Sequence, residues 1–266
     1  MIMINGLSQF DNPADLIGVI FVVIAVILFL LLGIHLIISH RKNKREATLY
    51  MSLILIFGAG ALIFLVLEQL ILIASNVVAS DAPEFKSYLE YSFNDIDVFW
   101  IAYLCACGAY LTSALAILSA LFFTQSFLPE KYNKLIIIPT IMLTLYVIIL
   151  VITPFEWIEV VGDWQPNHES GTDLIVNLLL FPNLYAIVVL FAYLVITLYK
   201  KGIPRWKQTL VLAIGQLFLS IGYTVEIINI PDPTITLIAR FAIMLYPIIM
   251  WLGFTPPNWF KRIIGV

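Results

Sequence analysis

The chain of 266 residues is 62% hydrophobic and 12% charged, with a mean hydropathy of +1.01 and a formal net charge of −3. Soluble domains carry about 25% charged residues, so this composition excludes a water-soluble globular domain and points to an integral membrane protein. The slight acidity offers nucleic acid no electrostatic footprint, and no nucleic-acid partner is expected; membrane lipids are the expected surroundings.

Crossing the hydrocarbon layer takes about 20 apolar residues. Seven such runs follow in chain order, near 15–38, 48–74, 98–124, 135–153, 174–199, 209–230 and 234–255. The expectation is therefore an all-α bundle of seven transmembrane helices forming a single domain over 1–266. The first run is long, follows acidic residues and lacks a small-residue cleavage pattern, so it reads as a mature span and not as a signal peptide.

Loop charge sets the expected orientation. Of the 14 Lys and Arg residues, 12 fall in four segments: Arg41, Lys42, Lys44 and Arg45; Lys131 and Lys134; Lys200, Lys201, Arg205 and Lys207; Lys261 and Arg262. The intervening loops hold 13 of the 17 acids and only Lys86 as a base. Basic loops stay in the cytoplasm, which predicts a multi-pass protein of the cell membrane with its N-terminus outside and its C-terminus inside.

Three charged residues belong to no loop: Glu68, Glu226 and Arg240. Helix rise places Glu68 and Arg240 roughly 9 Å, and Glu226 roughly 7 Å, below the outer ends of their spans. Ionisable groups inside a bilayer are costly and tend to mark functional sites. The sixth and seventh spans are joined by Pro231-Asp232-Pro233, which makes them antiparallel neighbours and puts Arg240 near Glu226. Asp232 and Pro233 suit the N-cap and first turn of the seventh helix. The planar guanidinium can hold two carboxylates, or one carboxylate and a ligand anion. Trp100, Tyr103, Cys107 and Tyr110 recur at three- and four-residue spacing and share a helix face, and Tyr223 stands three residues before Glu226. Gln69, Asn177 and Asn183 are further polar candidates. Together Glu68, Trp100, Tyr103, Cys107, Tyr223, Glu226 and Arg240 outline a candidate ligand pocket open to the outside. The competing reading is that the charges only lock helix packing and the aromatic residues anchor at the interface.

Other chemistries lack their residues. The seventh span has no lysine to bind retinal covalently, and His35, His40 and His168 are too dispersed to hold a metal. Cys105 and Cys107, two residues apart, point to different faces of one helix and form no clip with each other. No phosphate-binding glycine loop or nucleophile elbow is present, so no enzyme activity, cofactor or metal is expected. The segment "FEWIEVVGDWQPNHESGTD" alternates and then turns at Gly162-Asp163, which predicts a hairpin that could cover the pocket; the alternative is an amphipathic connector whose tryptophans anchor at the interface. Residues 81–97 open on "DAPE", a helix start of capping-box type, and predict a short surface helix.

The N-out seven-span order, the tryptophan-containing hairpin before the fifth span and the basic exit formed by Pro257, Trp259, Phe260, Lys261 and Arg262 resemble the seven-helix sensor domain that precedes some archaeal and bacterial histidine kinases. That resemblance covers nearly the whole chain and implies a ligand-sensing bundle. In that family a catalytic domain follows the bundle. Here only "IIGV" remains after Arg262, so the expected output is through a separate cytoplasmic partner. The topology also looks like that of rhodopsins and G-protein-coupled receptors, without the chromophore lysine or an Asp-Arg-Tyr type motif.

The functional expectation is a stand-alone sensor or receptor for a small extracellular ligand, with Pro182 and Pro247 as candidate kinks. The alternatives are a small secondary transporter, with Glu68 or Glu226 as candidates for proton coupling, and a structural subunit of a membrane complex. The topology makes a direct prediction. A cysteine placed at Asn43 should react with impermeant thiol reagents only from the cytoplasmic side, and labelling from outside intact cells would reverse the assignment.

Overall fold

The computed structural model describes residues 13–74, 98–128, 134, 136–153, 155–160, 163–168, 172–228 and 233–265; for several of these, including Gln69, Asn177, Glu226 and the hairpin strands, it describes the backbone alone. The surface helix expected within 81–97 lies outside these residues. Among the described residues the chain forms α1 (Pro13–Asn43), α2 (Glu46–Ala74), α3 (Val98–Gln125), α4 (Ile137–Ile152), β1 (Phe155–Val160), β2 (Asp163–His168), α5 (Thr172–Lys200), α6 (Trp206–Ile228), α7 (Pro233–Phe254) and α8 (Asn258–Ile264). Six of the helices are long and apolar enough to cross a membrane, which supports a multi-pass membrane protein. The 16-residue α4 is shorter, about 24 Å by helix rise.

Helix ends follow from local chemistry. α1 stops at a tight turn in which Lys44 takes a left-handed conformation (φ 47°), with its N–H donating to the His40 carbonyl at 2.7 Å. α5 stops at Gly202, also left-handed (φ 65°). The Gly202 N–H donates to Tyr199 O at 3.0 Å and the Ile203 N–H to Leu198 O at 3.0 Å, the paired bonds of a Schellman motif. Both turns are short, so each forces its flanking helices into antiparallel contact. Pro233 opens α7, where a missing N–H costs nothing.

Sequential packing joins α1 to α2, α2 to α3, α3 to α4, α4 to α5, α5 to α6 and α6 to α7, and the ring closes where α7 meets α1. With seven alternating helices that closing pair must be parallel. Its seam is marked by Phe21 against Phe241 at 5.4 Å and Phe29 against Tyr246 at 5.6 Å between ring centroids. α3 also touches α5, so α4 stands on the outside of the ring.

Both faces of these helices are apolar, and what separates them is size and shape. Ile20, Ile24, Ile27, Leu31, Ile34 and Ile38 form one exposed stripe along α1, while Ala25, Phe29 and Leu36 are buried. Small residues bring the backbones together. A methyl group built on Gly58 would stand 2.6 Å from the Phe29 ring, one on Gly108 2.9 Å from Phe64, and one on Gly222 2.7 Å from Ile243 Cγ1 and 3.1 Å from the Ala239 carbonyl. Lipid is as apolar as leucine, so such close packing is what holds membrane helices together.

The two strands between α4 and α5 pair antiparallel in the register Phe155↔His168 to Val160↔Asp163, joined by residues 161 and 162. The hairpin expected from the sequence is therefore present. Pro166 is tolerated because a two-stranded ribbon leaves edge positions that need no donor. β2, which follows α4, also touches α2. α8 is a feature that the sequence reading of the basic exit did not foresee; it ends at left-handed Gly265 (φ 66°).

The seams make Gly222→Ala costly, because the Ala239 carbonyl belongs to a helix backbone and cannot swing away. Overpacking of this kind costs about 1–3 kcal/mol. Gly60→Ala, whose added carbon would meet only Thr112 at 3.3 Å, should be near neutral. Melting of the detergent-solubilised variants should show a clear drop in Tm for the first and little change for the second.

Candidate functional site

Glu68 is 2% exposed. Its side chain therefore points into the bundle and not to lipid. It stands six residues before the end of α2, within electrostatic reach of Cys105, Cys107 and Tyr110 on α3. Spacing along α3 expresses this directly: Cys107 and Tyr110 are three residues apart and share a face.

Arg240 lies half-buried across α1. A carbon added to Gly18 would stand 2.9 Å from its Nη1 and 3.2 Å from its Cδ. Gly18 thus leaves the room in which the guanidinium lies, a role with no local sequence signal, since it depends on which helix faces α7.

The heights of these groups follow from the seams. Phe29 touches Gly58 and Gly33 touches Leu55, so steps up α1 are matched by steps up antiparallel α2. Gly18, eleven residues before Phe29, is then level with about the eleventh residue after Gly58, which is Gln69, next to Glu68. On the other side Gly222 touches Ile243 and Gly215 touches Met250. Arg240 is then level with about Val225, beside the Glu226 backbone. Glu68, Arg240 and the Glu226 backbone therefore occupy one layer near the hairpin end. The Glu226 side chain lies outside the described residues, as do those of Gln69 and Asn177. α6 is described to Ile228, and the rest of the expected span to 230 lies outside the described residues.

Tyr103 is fully buried, and its hydroxyl donates to the Leu150 carbonyl at 3.0 Å and to Val151 O at 3.4 Å. Those carbonyls sit in the last turn of α4, where a helix has no partners of its own for them, so Tyr103 caps α4 from α3. Its side chain also lies close to the Cys107 thiol. Trp100 lies half-buried near the start of α3. Asn183 is buried and donates to Leu179 O at 2.6 Å, satisfying a carbonyl within its own helix. Among the described residues, no group of three or more His, Cys, Asp or Glu could hold a metal.

Below the charged layer the interior carries tyrosines. Tyr223 lies within electrostatic range of Tyr146 on α4 and Tyr246 on α7, and Tyr146 within range of Tyr110. Beside them is a cavity of about 20 Å³ lined by Phe29, Gly58, Ser113, Leu184, Gln216 and Tyr223, among others. Gln216 and Tyr246 were not among the residues expected from sequence. The available signal was the stripe Gln216, Ser220, Tyr223 and Thr224, at spacings of four, seven and eight on one face of α6. Thr224 shares a 3.0 Å hydrogen bond with Tyr185 of α5, and Ser220 donates to Leu184 O at 3.3 Å. Farther from the hairpin, Phe123 packs on Phe127, Phe191 and Phe254, drawing α3, α5 and α7 together in an aromatic plug.

Compared with known proteins, the chain matches no family model, no curated protein and no solved structure.

The capping role of Tyr103 predicts that Tyr103→Phe destabilises by about 1–2 kcal/mol, through loss of one hydrogen bond to a buried carbonyl. The loss should appear as faster hydrogen exchange confined to the end of α4 and the start of β1. Unchanged exchange there would remove the cap.

Proposed function

We propose that the protein is a receptor-like membrane sensor whose small ligand enters from the hairpin end and is held in the layer of Glu68 and Arg240. The observation that carries this reading is the burial of Glu68 level with Arg240 at one end of the bundle, while the other end is filled by the Phe123 aromatic plug. A bundle polar at one end and sealed at the other suits reception from one side better than passage across. β2, which lies in the α4–α5 connection and touches α2, is placed to cover the ligand.

In this reading α4 is the seventh span. Its exposed stripe of Ile137, Ile138, Ile141, Leu145, Ile148 and Ile152 runs its full length, as a lipid-facing helix requires, and the following hairpin makes up the short rise. The hairpin end is extracellular, the N-terminus is outside and the membrane is the cell membrane, as the distribution of Lys and Arg supports. Output passes through the basic inner loops and α8 to a separate cytoplasmic partner. Pro182 and Pro247 lie inside α5 and α7 and are the bending points for that transmission.

The chain's two cysteines report on the site without engineering a new one. Cys107, in a Cys105→Ala background, should react with a small impermeant thiol reagent from the hairpin side and not from the opposite side. Reaction from both sides would favour a transporter with alternating access. Absence of reaction from either side, with full reaction after denaturation, would mean a sealed layer and favour a structural subunit.

A further inference from the structure

Two buried polar atoms among the described residues have no hydrogen-bond partner within the protein: Gln216 Oε1 and the Tyr246 hydroxyl oxygen. Both residues are in the core, Gln216 1% exposed and Tyr246 not at all. An unpartnered acceptor in such a place is destabilising unless something donates to it. Gln216 lines the central cavity, and so does Tyr223, which lies within electrostatic range of Tyr246. Phe29, another lining residue, packs its ring on Tyr246 at 5.6 Å. Gln216 Oε1 therefore belongs to this small space, whose walls come from α1, α2, α3, α5 and α6, and Tyr246 stands behind its Phe29 and Tyr223 walls.

The size of that space selects its occupant. About 20 Å³ exceeds the roughly 10–15 Å³ needed for one water and leaves no room for a larger ligand. Carbon dominates its walls through Phe29, Ile54, Ile117, Leu184 and Leu219, so a bare ion would lose its hydration without replacement. A neutral molecule able both to donate and to accept suits an amide oxygen on one side and a phenol on the other.

We propose that this cavity is a binding site for a single structural water, which donates to Gln216 Oε1 and is held on its other sides by the polar wall residues Ser113 and Tyr223, tying α6 to α3. It does not depend on what binds near Arg240.

The test is a structure of the wild-type protein at a resolution that shows ordered water, determined with and without xenon pressure. A density peak within hydrogen-bond distance of Gln216 Oε1, unaffected by xenon, is expected; an empty cavity, or one that takes up xenon, would overturn the site. A second measurement repeats the structure with Gln216→Met and with Tyr246→Phe. The density peak should be lost in Gln216→Met and kept in Tyr246→Phe, whose hydroxyl does not line the cavity; a peak that survives Gln216→Met would overturn the site.

Discussion

Close approach of helix backbones at small residues is the constraint on which the rest of this bundle depends. Outward and inward faces are both made of aliphatic residues, so burial of apolar surface cannot by itself choose which face of a helix turns in. Gly58, Gly108 and Gly222 make that choice, each accepting a side chain where no methyl group would fit. They set the heights at which neighbouring helices meet. Those heights in turn place Glu68, Gly18 and Arg240 in one layer. A change of register on either side of α1 would separate charges that the membrane does not tolerate alone.

The interior built on this frame is graded along its length. Charged groups occur near the hairpin, phenols and Gln216 at mid-depth, and interlocked phenyl rings beyond. In a low-dielectric interior the charged layer needs partners within reach. Glu68 has thiol and phenol groups of α3 around it, and Arg240 lies along the face that α1 leaves open at Gly18. Tyr103 shows how one polar group can serve architecture: its hydroxyl donates to the end of α4, and that bond ties the outermost helix to the ring.

Where a helix has polar side chains in its interior, local hydrogen bonds absorb many of them. Thr112, Ser119, Thr124, Asn183 and Thr224 all donate to carbonyls three or four residues back, a geometry open to short side chains on any helix. The orphan atom of Gln216 is an acceptor, its amide oxygen, which no backbone carbonyl can satisfy. That difference is what singles it out from the other buried polar residues as a group that faces a cavity and not its own backbone.

Hydropathy and charge alone determined the membrane-helix class, the helix positions to within a few residues and the hairpin between α4 and α5, because these depend on composition and spacing along the chain. The same reading picked out Glu68 and Arg240, since ionisable residues inside apolar runs are visible without knowing any neighbour. Only the tertiary structure decided that Glu68 faces α3, that Arg240 crosses Gly18, that Tyr103 caps α4 and that Gln216 Oε1 and the Tyr246 hydroxyl have no partner among the described residues. Each of these is a relation between helices far apart in sequence. In lipid, where every apolar face is equally content outside, no periodicity in a single helix could have announced them.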